Sequence, residues 1–306
     1  MRPAITQANR PSEPIEFAKM AGGGNDFIVV DNRDGRVTDP VGFCRRICTR
    51  RLSAGADGLI LIESSPRATF RMRYFNRDGS LGEFCANGTR CAARFALLSV
   101  ISQRKMTIET DAGVVAADVS EKMVTLMLPP PQDFRVGRPL QLDALTVRGS
   151  SLRVGVPHYV AFLSDSIWNH DIVPTGRRIR SHPDLQPEGA NVNFVLVRDR
   201  HSIEVRTFER GVEDETLSCG SGVVASVAVS ALFGRTDSPV SVLTRSGITL
   251  KVSYTLPAGG GGERMIEDVR LTGDARLIYK ASVTSETIEG FDPAWAENPT
   301  EASREP

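Results

Sequence analysis

The strongest constraint on this chain is that it carries one unit twice. Residues 72–98, MRYFNRDGSLGEFCANGTRCAARFALL, align with residues 204–233, EVRTFERGVEDETLSCGSGVVASVAVSALF. Each runs through an alternating strand pattern ending in Arg-x-Phe: Arg73 and Phe75 in one copy, Arg206 and Phe208 in the other. A polar, acidic loop follows, and then Cys-x-Asn-Gly or Cys-x-Ser-Gly opens an Ala-rich apolar segment. The register holds well past the motif. Thr110 and Gly113 stand 25 and 28 residues after Cys85, and Thr244 and Gly247 stand at the same offsets after Cys219. A repeat of this kind predicts two similar domains with one such cysteine apiece.

The segment after each cysteine reads as a helix. GVVASVAVSALFG (222–234) is apolar nearly all round, with Gly234 where a C-terminal stop belongs. Such a helix is far short of the roughly 20 residues needed to span a bilayer, so it must be buried on all sides by protein. The surrounding chain reads as short alternating strands, among them FIVVD (27–31), MTIET (106–110), NFVLV (193–197), IEVRTF (203–208) and VRLTG (269–273). The fold class this predicts is α/β: two pseudo-symmetric domains, each a mostly antiparallel or mixed sheet wrapped around a central buried helix.

Cys85 and Cys219 then both sit at helix N-termini. Free backbone N–H groups and the positive end of the helix dipole favour anions there, which predicts a lowered thiol pKa and a place for a carboxylate. Gly88, Gly220 and Gly222 let backbone approach a ligand closely. Two such helix ends facing each other across a cleft would place one sulfur on each side of an α-carbon. Inverting a stereocentre requires that arrangement: one thiolate removes the α-proton, and the opposite thiol delivers a proton to the other face. A thiol with an ordinary pKa of ~8.5 can serve in both forms near neutrality once tuned.

Composition narrows the partners. Lys plus Arg and Asp plus Glu number 37 each, so no global field draws nucleic acid or an anionic membrane. The opening MRPAITQANRPSEPIEF has no apolar core of a secretory signal, and five cysteines at irregular spacing argue against a disulfide scaffold. A reducing cytoplasm is the expected location. Residues 1–14 are expected to be a disordered extension, residues 285–306 a polar tail, and Gly259–Gly262 a flexible hairpin tip. Cys91 is expected to pack in the core, and Cys44 and Cys48 to share the buried face of a helix. No second Cys/His pair at suitable spacing accompanies them, so no metal is expected. His170, His182 and His201 are read as solvated and without a role.

Further blocks stand in order along the chain: GNDFIVVD (24–31), ADGLI (56–60), FNRDGS (75–80), CANGTRC (85–91), GVPH (155–158), GANVNF (189–194), ERG (209–211) and CGSG (219–222). With these the chain resembles the diaminopimelate epimerase family over residues 15 to about 283. The resemblance implies Cys85 and Cys219 as the acid/base pair, with His158 and Glu209 supporting proton transfer. It implies a cofactor-free site where Asn25, Asn76, Ala86, Asn87, Asn191, Glu209, Arg210, Gly220 and Ser221 bind a small amino acid substrate. The reaction implied is epimerisation of LL- to meso-diaminopimelate, serving lysine and peptidoglycan precursor synthesis, by a homodimer. The domains implied are residues 15–130 plus 274–284 and residues 131–273.

The chain departs from the family at Ala86, where Gly is usual, at Val156, where many members carry Asn, and at Gly58, where some carry Gln. Val156 and Gly58 thin the polar contacts to the distal end of the substrate. Val156 favours a rival reading on the same scaffold, a racemase or epimerase of histidine, proline or hydroxyproline. Arg210, Asn76 and Asn191 oppose it. A cysteine hydrolase or acyltransferase would need one nucleophile with a His partner, which leaves the duplicated second cysteine unexplained. A metal or redox protein is the remaining rival.

Overall fold

The computed structural model describes residues 14–82, 84–143, 145–257 and 265–288. The glycine run 259–262 and the outer parts of both termini lie outside these. Seventeen strands occur among the described residues. The first seven are β1 (Glu16–Gly22), β2 (Asn25–Asp31), β3 (Gly58–Glu63), β4 (Phe70–Asn76), β5 (Lys105–Thr110), β6 (Gly113–Ser120) and β7 (Met123–Met127). Then come β8 (Gln132–Leu142), β9 (Leu145–Val154), β10 (Val156–Phe162), β11 (Asn191–Asp199), β12 (Ser202–Glu209) and β13 (Asp214–Thr216). The last are β14 (Val240–Thr244), β15 (Thr249–Thr255), β16 (Glu267–Asp274) and β17 (Arg276–Ser282). Helices α1 (Pro40–Ile47), α2 (Ala86–Leu98), α3 (Ile172–Arg180) and α4 (Gly220–Leu232) interrupt them.

Pairing reveals the repeat. One half of the sheet runs β17-β1-β2-β3-β4-β5-β6-β7, and the other runs β8-β9-β10-β11-β12-β14-β15-β16. Successive pairs have the same sense in both halves: two antiparallel, one parallel, one antiparallel, one parallel, two antiparallel. β7 and β16 pair antiparallel and join the halves, with Thr125 and Thr272 opposite each other and hydroxyl to hydroxyl at 2.8 Å. Each half threads a helix at the same point, α2 between β4 and β5 and α4 between β12 and β14. The expected fold class is met.

Packing follows from the helix sequences. Nearly every residue of α4 is buried, and α2 buries Ala86–Ala93 in one run. Helices with no polar face must be wrapped, and the inner faces of both half-sheets share one core with them, including Met20, Ile60, Phe70, Leu126, Val205 and Leu271. The outer face of β2 and β3 packs under α1, and that of β10 and β11 under α3. α4 ends as anticipated: Gly234 takes φ +65°, and its N–H and that of Arg235 bond the carbonyls of Ala231 and Ser230. The offset Thr–Gly pairs of the repeat are hairpin turns, where Gly113 and Gly247 both have positive φ. The hydroxyls of Thr110 and Thr244 close those turns onto the carbonyls of Gly113 and Ile248.

The polar tail begins with a helical turn, Ser285–Ile288, tied down by Ser53 Oγ donating to the Thr287 carbonyl at 2.8 Å. Cys91 and Cys44 are wholly buried and Cys48 nearly so, as read from the sequence.

Candidate active site

The two cysteines cap the two central helices. Cys85 has extended backbone and its Sγ accepts from the Gly88 N–H at 3.4 Å; Cys219 does the same with Gly222, also at 3.4 Å. A sulfur thus occupies the position where a Ser or Asp oxygen normally binds the third helical N–H. Cys219 also meets Ser221 Oγ at 3.4 Å. The helix starts abut: a Cβ added at Gly220 would lie 2.7 Å from the Cβ of Ala86. Repetition in the sequence therefore becomes two sulfur-capped helix ends brought together in space.

The thiols do not behave as the helix ends alone predict. Burial pushes the Cys85 thiol up to about 11, against the pull of the Gly88 N–H, and nearby Glu209 adds to the rise. Burial and then Glu209 push Cys219 up to about 12, with Ser221 and Gly222 opposing. The expected lowering is corrected because removing a thiolate from water outweighs one capping N–H and a half-charge of helix dipole. Both sulfurs are therefore protonated near pH 7. Glu209, at the end of β12, is itself pushed up by burial, with Thr216 beside it partly offsetting the rise. This carboxyl, close to both thiols, adds to the rise that burial imposes on each.

The remaining sequence-predicted residues fall into three hydrogen-bonded groups. Asn87 lies in the first turn of α2 and its Nδ2 donates both to Asn25 Oδ1 at 2.9 Å and to the Ser218 carbonyl at 3.2 Å. It bridges the two halves right beside Cys219. Asn25 in turn donates to Asp57 Oδ2 at 3.0 Å. On the second half, Asn191 opens β11 opposite His158 on β10, and its Oδ1 accepts the Arg210 N–H at 2.8 Å. The Arg210 guanidinium donates to the Glu188 carbonyl. Asn76 ends β4 and bonds Tyr74 and Ser80, within the first half.

His158 is wholly buried, and its Nδ1 faces Asn193 Nδ2 at 3.2 Å. Burial, followed by the Arg210 charge, pushes its imidazole down to about 3, so it is neutral. Its Nε2 has no hydrogen-bond partner among the described residues.

Three side chains that hydrogen-bond these residues escape the sequence reading. Arg90 is fully buried and donates to Asn87 Oδ1 at 2.6 Å, to the Ala86 carbonyl and to the Asp274 carbonyl. It holds the bridging amide of Asn87 in one orientation and ties α2 to the junction of β16 and β17. Tyr74 lies in a slot made by two glycines: a Cβ at Gly58 would meet its Cε2 at 2.6 Å, and one at Gly82 its Cδ1 at 2.3 Å. Its hydroxyl donates to Asn76 Oδ1 at 2.8 Å. The Tyr74 ring thus fills the space that a side chain at position 58 would take. Asn193 is the third. The signal for Arg90 and Asn193 lay inside the quoted blocks, and that for Tyr74 lay one residue outside.

The comparisons agree with this geometry. The family model for diaminopimelate epimerase matches residues 17–132 and 150–256. A diaminopimelate epimerase of Aquifex aeolicus is 39% identical over 288 residues, covering 90% of this chain and all of the relative. That of Chlorobaculum tepidum is 41% identical over 269 residues, covering 87% of this chain and again all of the relative. Among solved structures, a hydroxyproline epimerase from Agrobacterium vitis with bound trans-4-hydroxy-L-proline superposes with a TM-score of 0.67 over 94% of this chain and 96% of its own, at 18% identity. A probable proline racemase from Agrobacterium radiobacter gives 0.65 at 16% identity, over 92% of this chain and 98% of its own. At such identity these two share the fold. Family model and relatives together span the sulfur-capped helices and every strand that carries a site residue, and the chain belongs to the diaminopimelate epimerase family.

Proposed function

We propose that this chain is an isomerase that converts LL-2,6-diaminopimelate to the meso form, with Cys85 and Cys219 as its two acid/base groups and with no cofactor. The observation that carries the reading is the pair of matched sulfur caps on abutting helix starts. An α-carboxylate lying across the two helix ends meets the first-turn N–H groups of Ala86, Asn87, Gly220 and Ser221. The substrate ammonium supplies a positive charge that favours loss of one thiol's proton to solvent, leaving a thiolate on one side. That thiolate takes the α-proton, leaving a planar carbanion whose charge spreads onto the carboxylate. The opposite cysteine, still a thiol, gives its proton to the other face. One S–H bond forms and one breaks, so the enzyme ends with its proton on the other sulfur and resets through solvent.

Asn25, Asn76, Asn87, Asn191, Glu209 and Arg210 are assigned to substrate binding, with His158 and Glu209 supporting the proton transfers. The two lobes are taken as residues 15–130 plus 274–284 and residues 131–273, and the working form as a cytoplasmic homodimer in lysine and peptidoglycan precursor synthesis. Diaminopimelate carries a second amino acid centre, and Arg210 is the cation assigned to grip its carboxylate. Arg210→Ala should raise KM for LL-diaminopimelate and lower kcat/KM about ten- to a hundredfold, given ~1.5–3 kcal/mol for a charged hydrogen bond. The test is α-hydrogen exchange in deuterated water across a panel of amino acids. Faster turnover of proline or histidine than of diaminopimelate would sink the substrate assignment.

A further inference from the structure

We infer that Asn193 is a positioning residue that locks His158 into one neutral tautomer, protonated on Nε2, so that it can act only as a hydrogen-bond donor. The relevant atoms form a short buried chain. Thr207 Oγ1 lies 3.0 Å from Asn193 Oδ1; Asn193 Nδ2 lies 3.2 Å from His158 Nδ1 and 3.4 Å from the Tyr159 carbonyl oxygen. His158 and Asn193 are fully buried and Thr207 nearly so, which leaves no water-facing side to any of them.

The peptide oxygen of Tyr159 can only accept, which fixes which end of the Asn193 amide faces it. That end is the NH2, and the amide oxygen is therefore turned to the Thr207 hydroxyl, which donates. The second NH2 hydrogen meets His158 Nδ1. Two N–H groups cannot face each other at 3.2 Å without a lone pair between them, so Nδ1 is bare and the ring proton is on Nε2. A conclusion about an unseen hydrogen follows from two heavy-atom contacts with an unambiguous acceptor. The suppressed basicity of the buried ring agrees with a neutral imidazole.

The remaining donor has a direction of use. His158 Nε2 is buried and unpartnered among the described residues, and leaving a buried donor unmet is unfavourable unless a ligand meets it. Asn193 Oδ1 also presses on the first turn of α4: a Cβ at Gly222 would lie 2.2 Å from it, and the Gly222 N–H is the group that caps the Cys219 sulfur. The lock on His158 is therefore built into the same turn as Cys219. The acceptor that fits an Nε2–H here is a substrate carboxylate oxygen, on which negative charge grows as the α-proton leaves. His158 in this form cannot take a proton from substrate, and the two sulfurs carry all of the proton transfer.

The kinetic part of this inference rests on the epimerase reading above; the tautomer itself does not. The experiment is long-range 15N–1H NMR of the full-length protein labelled on histidine, which has four histidines to resolve. The wild type should show His158 as the neutral Nε2–H tautomer across the neutral range, whether or not substrate is added. Asn193→Asp offers Nδ1 a carboxylate oxygen in place of the amide NH2, so the ring proton should move to Nδ1 and leave Nε2 without one. Its kcat should then fall about a hundredfold with little change in KM, as when one donor to a developing anion is lost. Asn193→Ala should give a mixture of tautomers, and it serves if the aspartate variant fails to fold. An Nδ1–H or imidazolium signal for His158 in the wild type overturns the inference, as does an Asn193→Asp enzyme with normal kcat. A wild type that shows the Nε2–H tautomer but ignores diaminopimelate refutes the substrate reading and leaves the lock standing.

Discussion

At the scale of single residues, the balance between burial and hydrogen bonding decides what each titratable group is. The two capping sulfurs receive one helix N–H each, yet both are pushed up, to about 11 and about 12. Two consequences are measurable. In the free enzyme one sulfur of the pair must lose its proton before either can act as base, so kcat/KM should climb with pH along a limb centred above ~8.5, the ordinary thiol value. His158, pushed down to about 3, should contribute no limb between pH 5 and 8. The same shifts bear on stability. A thiol whose pKa is raised in the folded chain binds more protons folded than unfolded, so its contribution is complete below ~8.5 and is lost as pH rises toward 11 to 12. Chemical denaturation of the wild type should show stability falling through that window, and a Cys85→Ala chain should show a smaller fall. A kcat/KM limb at or below the ordinary thiol value would mean that the sulfurs are not desolvated as described.

At the scale of elements, the site depends on how closely α2 and α4 approach. Gly220 stands against Ala86, and a methyl group added there would sit 2.7 Å from the Ala86 Cβ. Helix propensity favours Ala over Gly by about 1 kcal/mol, whereas overpacking a filled contact costs about 1–3 kcal/mol. The second term should win, so Gly220→Ala should lower both Tm and kcat/KM. Ala86→Gly in the same chain should restore most of each, and thermal melts with steady-state rates on the four proteins of that cycle would measure the coupling. Additive effects would mean that the helix starts are not in contact. The helices themselves were legible in the sequence because their caps, lengths and apolar faces are local properties. Their wrapping could be deduced too, since α4 has no polar face to show to water. Tyr74, Arg90 and Asn193 were not legible as site residues. Their partners, Gly58 and Gly82, Asp274, and His158 with Thr207, are set by strand register and by distant crossings. The thiol shifts were misread for a related reason: a cap motif shows the hydrogen bond but not how much water the fold removes.

At the scale of the whole molecule, the chain is two half-sheets of equal pairing order, joined at β7 and β16 and closed by β17 returning to β1. The duplication in the sequence was enough to anticipate this symmetry, because offsets that persist 28 residues beyond a motif report a shared fold. Each half supplies one helix end and one sulfur, which is the pairing that the proposed two-sulfur chemistry requires. The side chains near the two capped helix starts also differ between the halves: Asn87, Arg90 and Tyr74 on one side, His158, Asn193 and Glu209 on the other. Among the described residues no helix is long and apolar enough to cross a membrane. The most direct test of the two-sulfur mechanism is the rate of LL-to-meso conversion by Cys85→Ala and by Cys219→Ala, each checked for folding by circular dichroism. Both should lose at least about 10²–10⁴-fold, the usual contribution of one positioned acid/base group. Near-normal conversion by either folded variant would contradict the mechanism.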